Sequence, residues 1–413
     1  MILNYIWVAL FLLAMVFGLG QWILTGDQQI FSTMFKALMD MSKTGFEIAL
    51  GLTGILTFWM GMMKVGEVSG AIQRVANLID PFFRKLFPEV PKGHPAIGSM
   101  MLNLSANMLG LGDAATPMGL KAMKELQEIN PSKDTASNAQ IMFLVLNAAG
   151  FTLIPITVIM YRLQFNAANP SDVFIPILIT TFSAAMAGLI AVSIKQRINL
   201  FNRTLFIVLF SLCVFVAGLI YFFLSLEKSQ MQVYSNLLAS IVVFGIMTSF
   251  IVMALWKKIS VFEVFIEGAK EGFNTAVRII PYLVAILCVI ALFRTSGGFD
   301  FIMNGITMLF DYSGLRTEFV PALPVALMKP LSGSGARGMM LELLAQPQFG
   351  PDSFAGRLSC IFQGSVDTTL YIVAVYFGSV GVKNSRYAVG CGLIADLVSV
   401  IVAITVAYLF FPV

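Results

Sequence analysis

Histidine occurs once in the 413 residues, as His94, and the four cysteines (Cys213, Cys288, Cys360 and Cys391) are scattered with no CxxC or Cys/His spacing. Imidazole-rich metal sites, zinc frameworks and histidine proton relays therefore have no sequence basis. His94 itself sits in Pro-Lys-Gly-His-Pro and reads as a loop residue. No Walker-type phosphate loop, HExxH or nucleophile-elbow motif occurs, so the expectation is a protein that is not an enzyme and holds no metal or cofactor. The most telling scarcity is charge: 12% of residues are Asp, Glu, Lys or Arg, against roughly a quarter in soluble domains. With 58% of the chain in the AVILMFWYC set, a soluble globular protein is excluded. The net charge of +4 comes from basic residues in short loops, which reports membrane topology rather than nucleic-acid binding.

Charge-poor runs long enough to cross a hydrocarbon core of roughly 30 Å as helices lie at 2–24, 44–64, 138–161, 172–194, 203–226, 234–256, 273–294, 360–382 and 386–411. The fold class is thus an all-α polytopic membrane protein with about nine transmembrane helices. The first run lacks a basic leader and a small-residue cleavage site, and it reads as a retained helix. Two intervening stretches are apolar but broken by Gly, Pro, Asn and Ser. Each opens with an amphipathic piece, 68–87 and 298–311, of the kind that lies in a membrane interface. A run too short to span follows, Ile97–Leu109 in one and Phe319–Leu331 in the other, ending in a glycine-rich turn, and a second short run returns. A re-entrant helical hairpin explains both, because irregular backbone at membrane depth survives only where protein or a polar cavity satisfies it.

The two stretches belong to a duplicated plan. Lys43-Thr-Gly-Phe46 is answered by Lys270-Glu-Gly-Phe273, Leu109-Gly-Leu-Gly-Asp-Ala-Ala-Thr116 by Leu331-Ser-Gly-Ser-Gly-Ala-Arg-Gly338, and Thr152-Leu-Ile-Pro-Ile156 by Thr369-Leu-Tyr-Ile-Val373. With the N-terminus cytoplasmic and the C-terminus outside, most of the 26 basic residues fall on the cytoplasmic side, as the positive-inside rule requires. The halves then have inverted topology, the pattern of secondary transporters of the cytoplasmic (inner) membrane, with a site near the midplane. The run 203–226 has no counterpart and is expected to be a linker helix, within a division into 1–200, 201–230 and 231–413.

Three motifs carry a family resemblance: Asn103-Leu-Ser-Ala-Asn-Met-Leu-Gly-Leu-Gly-Asp-Ala-Ala-Thr-Pro117, Lys329-Pro-Leu-Ser-Gly-Ser-Gly-Ala-Arg-Gly338 and Gly364-Ser-Val-Asp-Thr-Thr-Leu-Tyr-Ile-Val373. On these, 1–200 resembles the spore maturation protein A family and 231–413 the spore maturation protein B family, as in a fusion. Both resemble the nucleoside-recognition, or Gate, group, which also includes parts of concentrative nucleoside transporters and of ferrous-iron transporters. That resemblance implies a transporter-like fold with hairpins.

Polar residues within bilayer-embedded segments are costly and usually face a bundle interior or a watery cavity. The first half offers Asn103, Ser105, Asn107, Asp113, Thr116 and Asn147, with Thr152 nearby; the second offers Lys329, Ser332, Ser334, Arg337, Gln363, Ser365, Asp367, Thr368 and Asp396. These are the candidate substrate-binding residues, with Asp367 and Asp396 as candidates for Na+ or H+ coupling. Each has a structural alternative. Asp113 either caps a helix or meets a ligand, and Ser332-Gly-Ser-Gly-Ala-Arg337 either forms an anion nest or packs helices closely. Asp367 and Asp396 either couple an ion or lock to Arg337 and Lys329 as buried pairs. The expected function is a secondary transporter or exchanger of a small polar metabolite, nucleoside-like or carboxylate/amino-acid-like. The alternative is a non-transporting membrane scaffold in envelope or spore maturation. Expected partners are a small-molecule substrate and the lipid bilayer, with homo-oligomerisation open and no nucleic acid.

Overall fold

The computed structural model describes residues 2–108, 112–153, 155–312 and 316–411. The first half comprises α1 (Ile2–Thr25), α2 (Ile30–Ser69), α3 (Ala71–Leu86), α4 (Pro95–Met108), α5 (Gly112–Glu128), α6 (Asn138–Ala148), α7 (Ile156–Gln164) and α8 (Phe174–Gln196). After α9 (Arg203–Leu224), the second half repeats this order. It runs through α10 (Lys228–Trp256), α11 (Val261–Thr295), α12 (Gly298–Tyr312), a 3-10 turn (Val320–Ala322) leading into α13 (Leu323–Met328), α14 (Gly333–Ala345), α15 (Phe354–Ser365), α16 (Thr369–Ser379) and α17 (Ala388–Phe410).

Equivalent helices α2 and α11 pack antiparallel, as inverted halves must. Gly45 meets Val284 and Leu287 near one end, while Gly61 meets Phe265 and Gly268 meets Lys64 near the other. A Cβ at Gly272 would lie 2.6 Å from the Leu56 carbonyl. Small residues at this seam let two long helices approach closely where lipid supplies no hydrophobic drive for association. Both helices end on a glycine with positive φ, Gly70 at +83° and Gly297 at +79°, a conformation that costs other residues energy. There the chain turns into the amphipathic helices α3 and α12. The latter lies at 70° to the end of α11.

Among the described residues, seven helical segments are long and apolar enough to cross a membrane: those in α1, α2, α8, α9, α10 and α17, and α15–α16 taken together. The remaining two apolar runs fall on α11 and on α6–α7. Helices α4, α5, α13 and α14 are too short to span and form the two re-entrant hairpins. In the first, Asn103 of α4 donates to the Ala115 carbonyl of α5 at 2.7 Å; its tip, 109–111, lies outside the described residues.

The structure corrects one feature of the crossings. The runs 138–161 and 360–382 are not continuous helices but broken ones, interrupted between α6 and α7 and, at 366–368, between α15 and α16. Gly150 adopts a φ of +51° and Pro155 brings no N–H, so the first run cannot keep its helical ladder. Each broken span is opened by a serine cap: Ser137 accepts from Gln140 N, and Ser353 from Gly356 N. Apolarity alone carries no information on either event.

Candidate functional site

The two breaks face the two hairpins. Within each half, a backbone N–H in or just after the break is taken by the C-terminal end of the first hairpin arm: Leu153 N donates to Met108 O at the end of α4, and Leu370 N, in the first turn of α16, donates to Pro330 O just beyond α13, both at 2.9 Å. The residue before each acceptor reaches the preceding half-helix. Asn107 Nδ2 donates to Asn147 Oδ1 at 2.9 Å, and Lys329 Nζ donates to the Gln363 carbonyl at 2.8 Å. Across the halves, Asp367 N donates to Ala148 O at 2.9 Å. Thr181 of α8 pins the first break, donating to Gly150 O at 2.6 Å. Half-helix ends of both polarities are thereby gathered in one place, a source of fixed partial charge without side-chain ionisation.

Between them lies a cavity of about 180 Å3 lined by residues of both halves. Asn107, Asn147 and Thr152 come from the first, and Lys329, Arg337, Gln363 and Asp367 from the second. Asp367 is exposed to this space, with Oδ1 accepting from Thr368 N at 2.7 Å. Arg337 holds its guanidinium 5.9 Å from the Tyr161 ring centroid, and its buried Nε has no hydrogen-bond partner among the described residues. Nor has the buried Oε1 of Gln363. A smaller pocket of about 30 Å3 adjoins, sharing Asn107, Asn147 and Asp367 and adding Thr116, Tyr371 and Tyr376.

The remaining sequence candidates lie elsewhere. Asp396 is 5% exposed and borders a separate space with Lys329 and Ser399; neither carboxylate oxygen has a hydrogen-bond partner among the described residues. Among the described residues, no ion pair within 4.0 Å joins Lys329 or Arg337 to Asp367 or Asp396, so the lock weighed above is not formed. Ser332 caps α14, accepting from Gly335 N at 3.0 Å, with Ser334 Oγ 3.3 Å from its hydroxyl; neither lines the cavity. Ser365 donates to Ile361 O within its own helix, and Thr368 packs against Gly333. Asn103 and Ser105 are buried inside the first hairpin. The Asp113 side chain lies outside the described residues.

Two clusters that seal the halves together escaped the sequence reading. At one end, Arg162 is fully buried and pairs with Asp172 at 2.8 Å, which also pairs with Arg357 at 2.8 Å. Asp352 joins them, 3.3 Å from Arg162 and 2.8 Å from Ala168 N. At the other end the contact is mostly backbone: Lys383 N and Asn384 N donate to Asp134 O at 2.7 and 2.9 Å, and Ala136 N to Asn384 O at 2.9 Å. Arg386 Nη1 and Tyr387 Oη reach Asn138 Oδ1 at 3.0 and 2.8 Å. Helix α8 fixes their separation. Asp172 stands just before its first turn, and Gln196 in its last turn donates to Asn138 O at 2.8 Å. The signal for the first cluster was present as charges flanking apolar runs; their pairing across the halves was not.

A family model described as nucleoside recognition (Gate) matches the chain twice, at 49–165 and 276–383. The matched segments run from within α2 to α7 and from within α11 to the loop after α16, so each contains one hairpin and one broken span. Spore maturation protein A of Bacillus subtilis (strain 168) is 37% identical over 187 residues, 45% of this chain and 92% of that protein. Spore maturation protein B of the same organism is 48% identical over 155 residues, 38% of this chain and 84% of that protein. The two cover different parts of the chain, consistent with a fusion. No solved structure matches significantly.

Proposed function

This chain belongs to the Gate, or nucleoside-recognition, family, and from that membership we propose that it is a secondary transporter of the cytoplasmic membrane that carries a small anionic or zwitterionic metabolite by alternating access. One observation carries this reading. Lys329, Arg337 and Asp367 line a single cavity between inverted halves and are not consumed by ion pairs with one another or with Asp396. A buried cation without a direct ion-pair contact is costly, and a ligand carboxylate supplies that contact, with Asn107, Asn147 and Gln363 reading the rest of the solute. A cavity of roughly 150 Å3 holds a benzene-sized guest, so the space here fits a small carboxylate or amino acid better than a whole nucleoside.

The seals at the two ends of the broken spans provide the moving contacts. In this reading the Arg162–Asp172–Arg357 cluster closes the outer end, the Asp134–Asn384 pairing closes the cytoplasmic end, and rocking of one half against the other breaks them in turn. Asp367, exposed in the cavity, is the coupling carboxylate, and no covalent chemistry on the substrate is involved.

The test is thermal stabilisation of the purified protein by carboxylates, amino acids and nucleosides, followed by uptake into proteoliposomes of whichever class binds. A carboxylate-bearing ligand that stabilises the wild type but not Arg337→Ala supports the proposal. Stabilisation by nucleosides alone overturns the substrate class. Binding without uptake under any imposed gradient overturns transport, in favour of a non-transporting membrane scaffold.

A further inference from the structure

A further cavity lies away from the centre, where the end of α3 meets the start of α9. It measures about 400 Å3, and its wall includes Arg84, Lys85, Phe87, Lys92, Ile97 and Thr204, with no acidic side chain. Arg84 is occupied by Asp80, one turn back, at 2.8 Å. Lys85 and Lys92 are exposed and have no hydrogen-bond or ion-pair partner among the described residues. Glu89, the nearest acid in the chain, is engaged elsewhere, its Oε1 accepting from Asn138 Nδ2 at 2.6 Å.

The position of the pocket relative to the bilayer follows from its two helices. From Leu205 onward α9 is apolar, with Leu205 and Leu209 buried against the protein and Phe206, Ile207, Phe210 and Val214 exposed. Its polar start, Arg203 and Thr204, therefore marks the membrane edge. Helix α3 is amphipathic, with Ala76, Phe83 and Leu86 buried and Arg74, Arg84 and Lys85 turned outward. Basic pockets beside transmembrane helices at this level suit phosphate head groups.

We propose that this pocket binds one anionic glycerophospholipid, its phosphate held by Lys85 and Lys92 and its acyl chains lying along the exposed face of α9. The two uncompensated cations favour an anionic head group over a zwitterionic one, and the lipid-facing side chains of α9 favour an acylated ligand over a free phosphate. Ile97, on the wall, belongs to α4, so the lipid bridges the linker helix to the first hairpin. Helix α9 is then more than a topological linker.

The experiment compares the full chain in discs of phosphatidylcholine alone with discs that also contain phosphatidylglycerol, reading melting temperature and the lipid retained in native mass spectra. One phosphatidylglycerol retained and a raised melting temperature are expected of the wild type and of Lys121→Gln/Lys124→Gln, which removes exposed charge from α5. Lys85→Gln/Lys92→Gln should melt normally in phosphatidylcholine and bind phosphatidylglycerol roughly 30-fold more weakly, from about 1 kcal/mol per surface cation. Equal losses in both double variants would mean general surface charge and overturn the site. Glycerol 3-phosphate reproducing the full shift would overturn the lipid in favour of a free phosphate.

Discussion

Asp367 donates its backbone N–H to the carbonyl of Ala148 at 2.9 Å, tying the break of the second half to the end of α6 in the first. The bond uses a donor and an acceptor freed only because both spans unwind. The backbone is thereby fixed, while the Asp367 carboxylate, with Oδ1 held by Thr368 N, faces the cavity. The site is therefore held by main-chain bonds and presented by side chains.

Gly150 is the tightest point of that junction. Its φ is +51°, and a Cβ built there lies 3.1 Å from Asp367 N. Gly150→Val, β-branched at a left-handed position, should cost about 2 kcal/mol or more. Ligand stabilisation should be lost before the fold is, which melting curves with and without ligand will show.

Arg162 is fully buried between two carboxylates. Arg162→Leu strands part of that charge and should destabilise by about 3–5 kcal/mol. The quadruple change Arg162→Leu/Asp172→Leu/Arg357→Leu/Asp352→Asn should recover much of this loss, because it removes all four charges of the cluster. Melting temperatures of the two variants test the seal as structure. If it is also the outer gate, both should transport more slowly than their stability explains.

Arg337 brings a guanidinium whose Nε is unpartnered to the cavity wall. Its replacement by Ala should weaken a carboxylate ligand roughly ten- to a hundredfold, the worth of a hydrogen bond to a charged group. Arg337→Lys should restore part of that affinity, since charge is kept while the planar fork is lost. Titration calorimetry on folded variants checks the order.

Asp367→Asn should abolish gradient-driven accumulation while sparing binding and exchange, because the amide keeps the shape and loses the titratable charge. Equal accumulation by wild type and variant in proteoliposomes would remove Asp367 from coupling. Asp396→Asn should leave the melting temperature equal or higher, since a buried carboxylate with no hydrogen-bond partner among the described residues costs more to desolvate than a neutral amide.

By itself the sequence determined the all-helical membrane class, the duplication and the two hairpins, and it picked out polar residues of which several line the candidate cavity. Charge-poor runs, amphipathic periodicity and paired Gly-Ser motifs are local signals, and Asn107, Asn147, Lys329, Arg337, Gln363 and Asp367 stood out because polarity at membrane depth is expensive. Tertiary structure decided which of the polar residues share a cavity and which are spent on the fold. Ser332 and Ser365 are polar because helix ends and turns consume hydroxyls locally, and no spacing distinguishes that use from ligand contact. The pairings of Asp172 with Arg357 and of Asp134 with Asn384 join residues roughly two hundred positions or more apart. They exist only once the inverted halves are packed together.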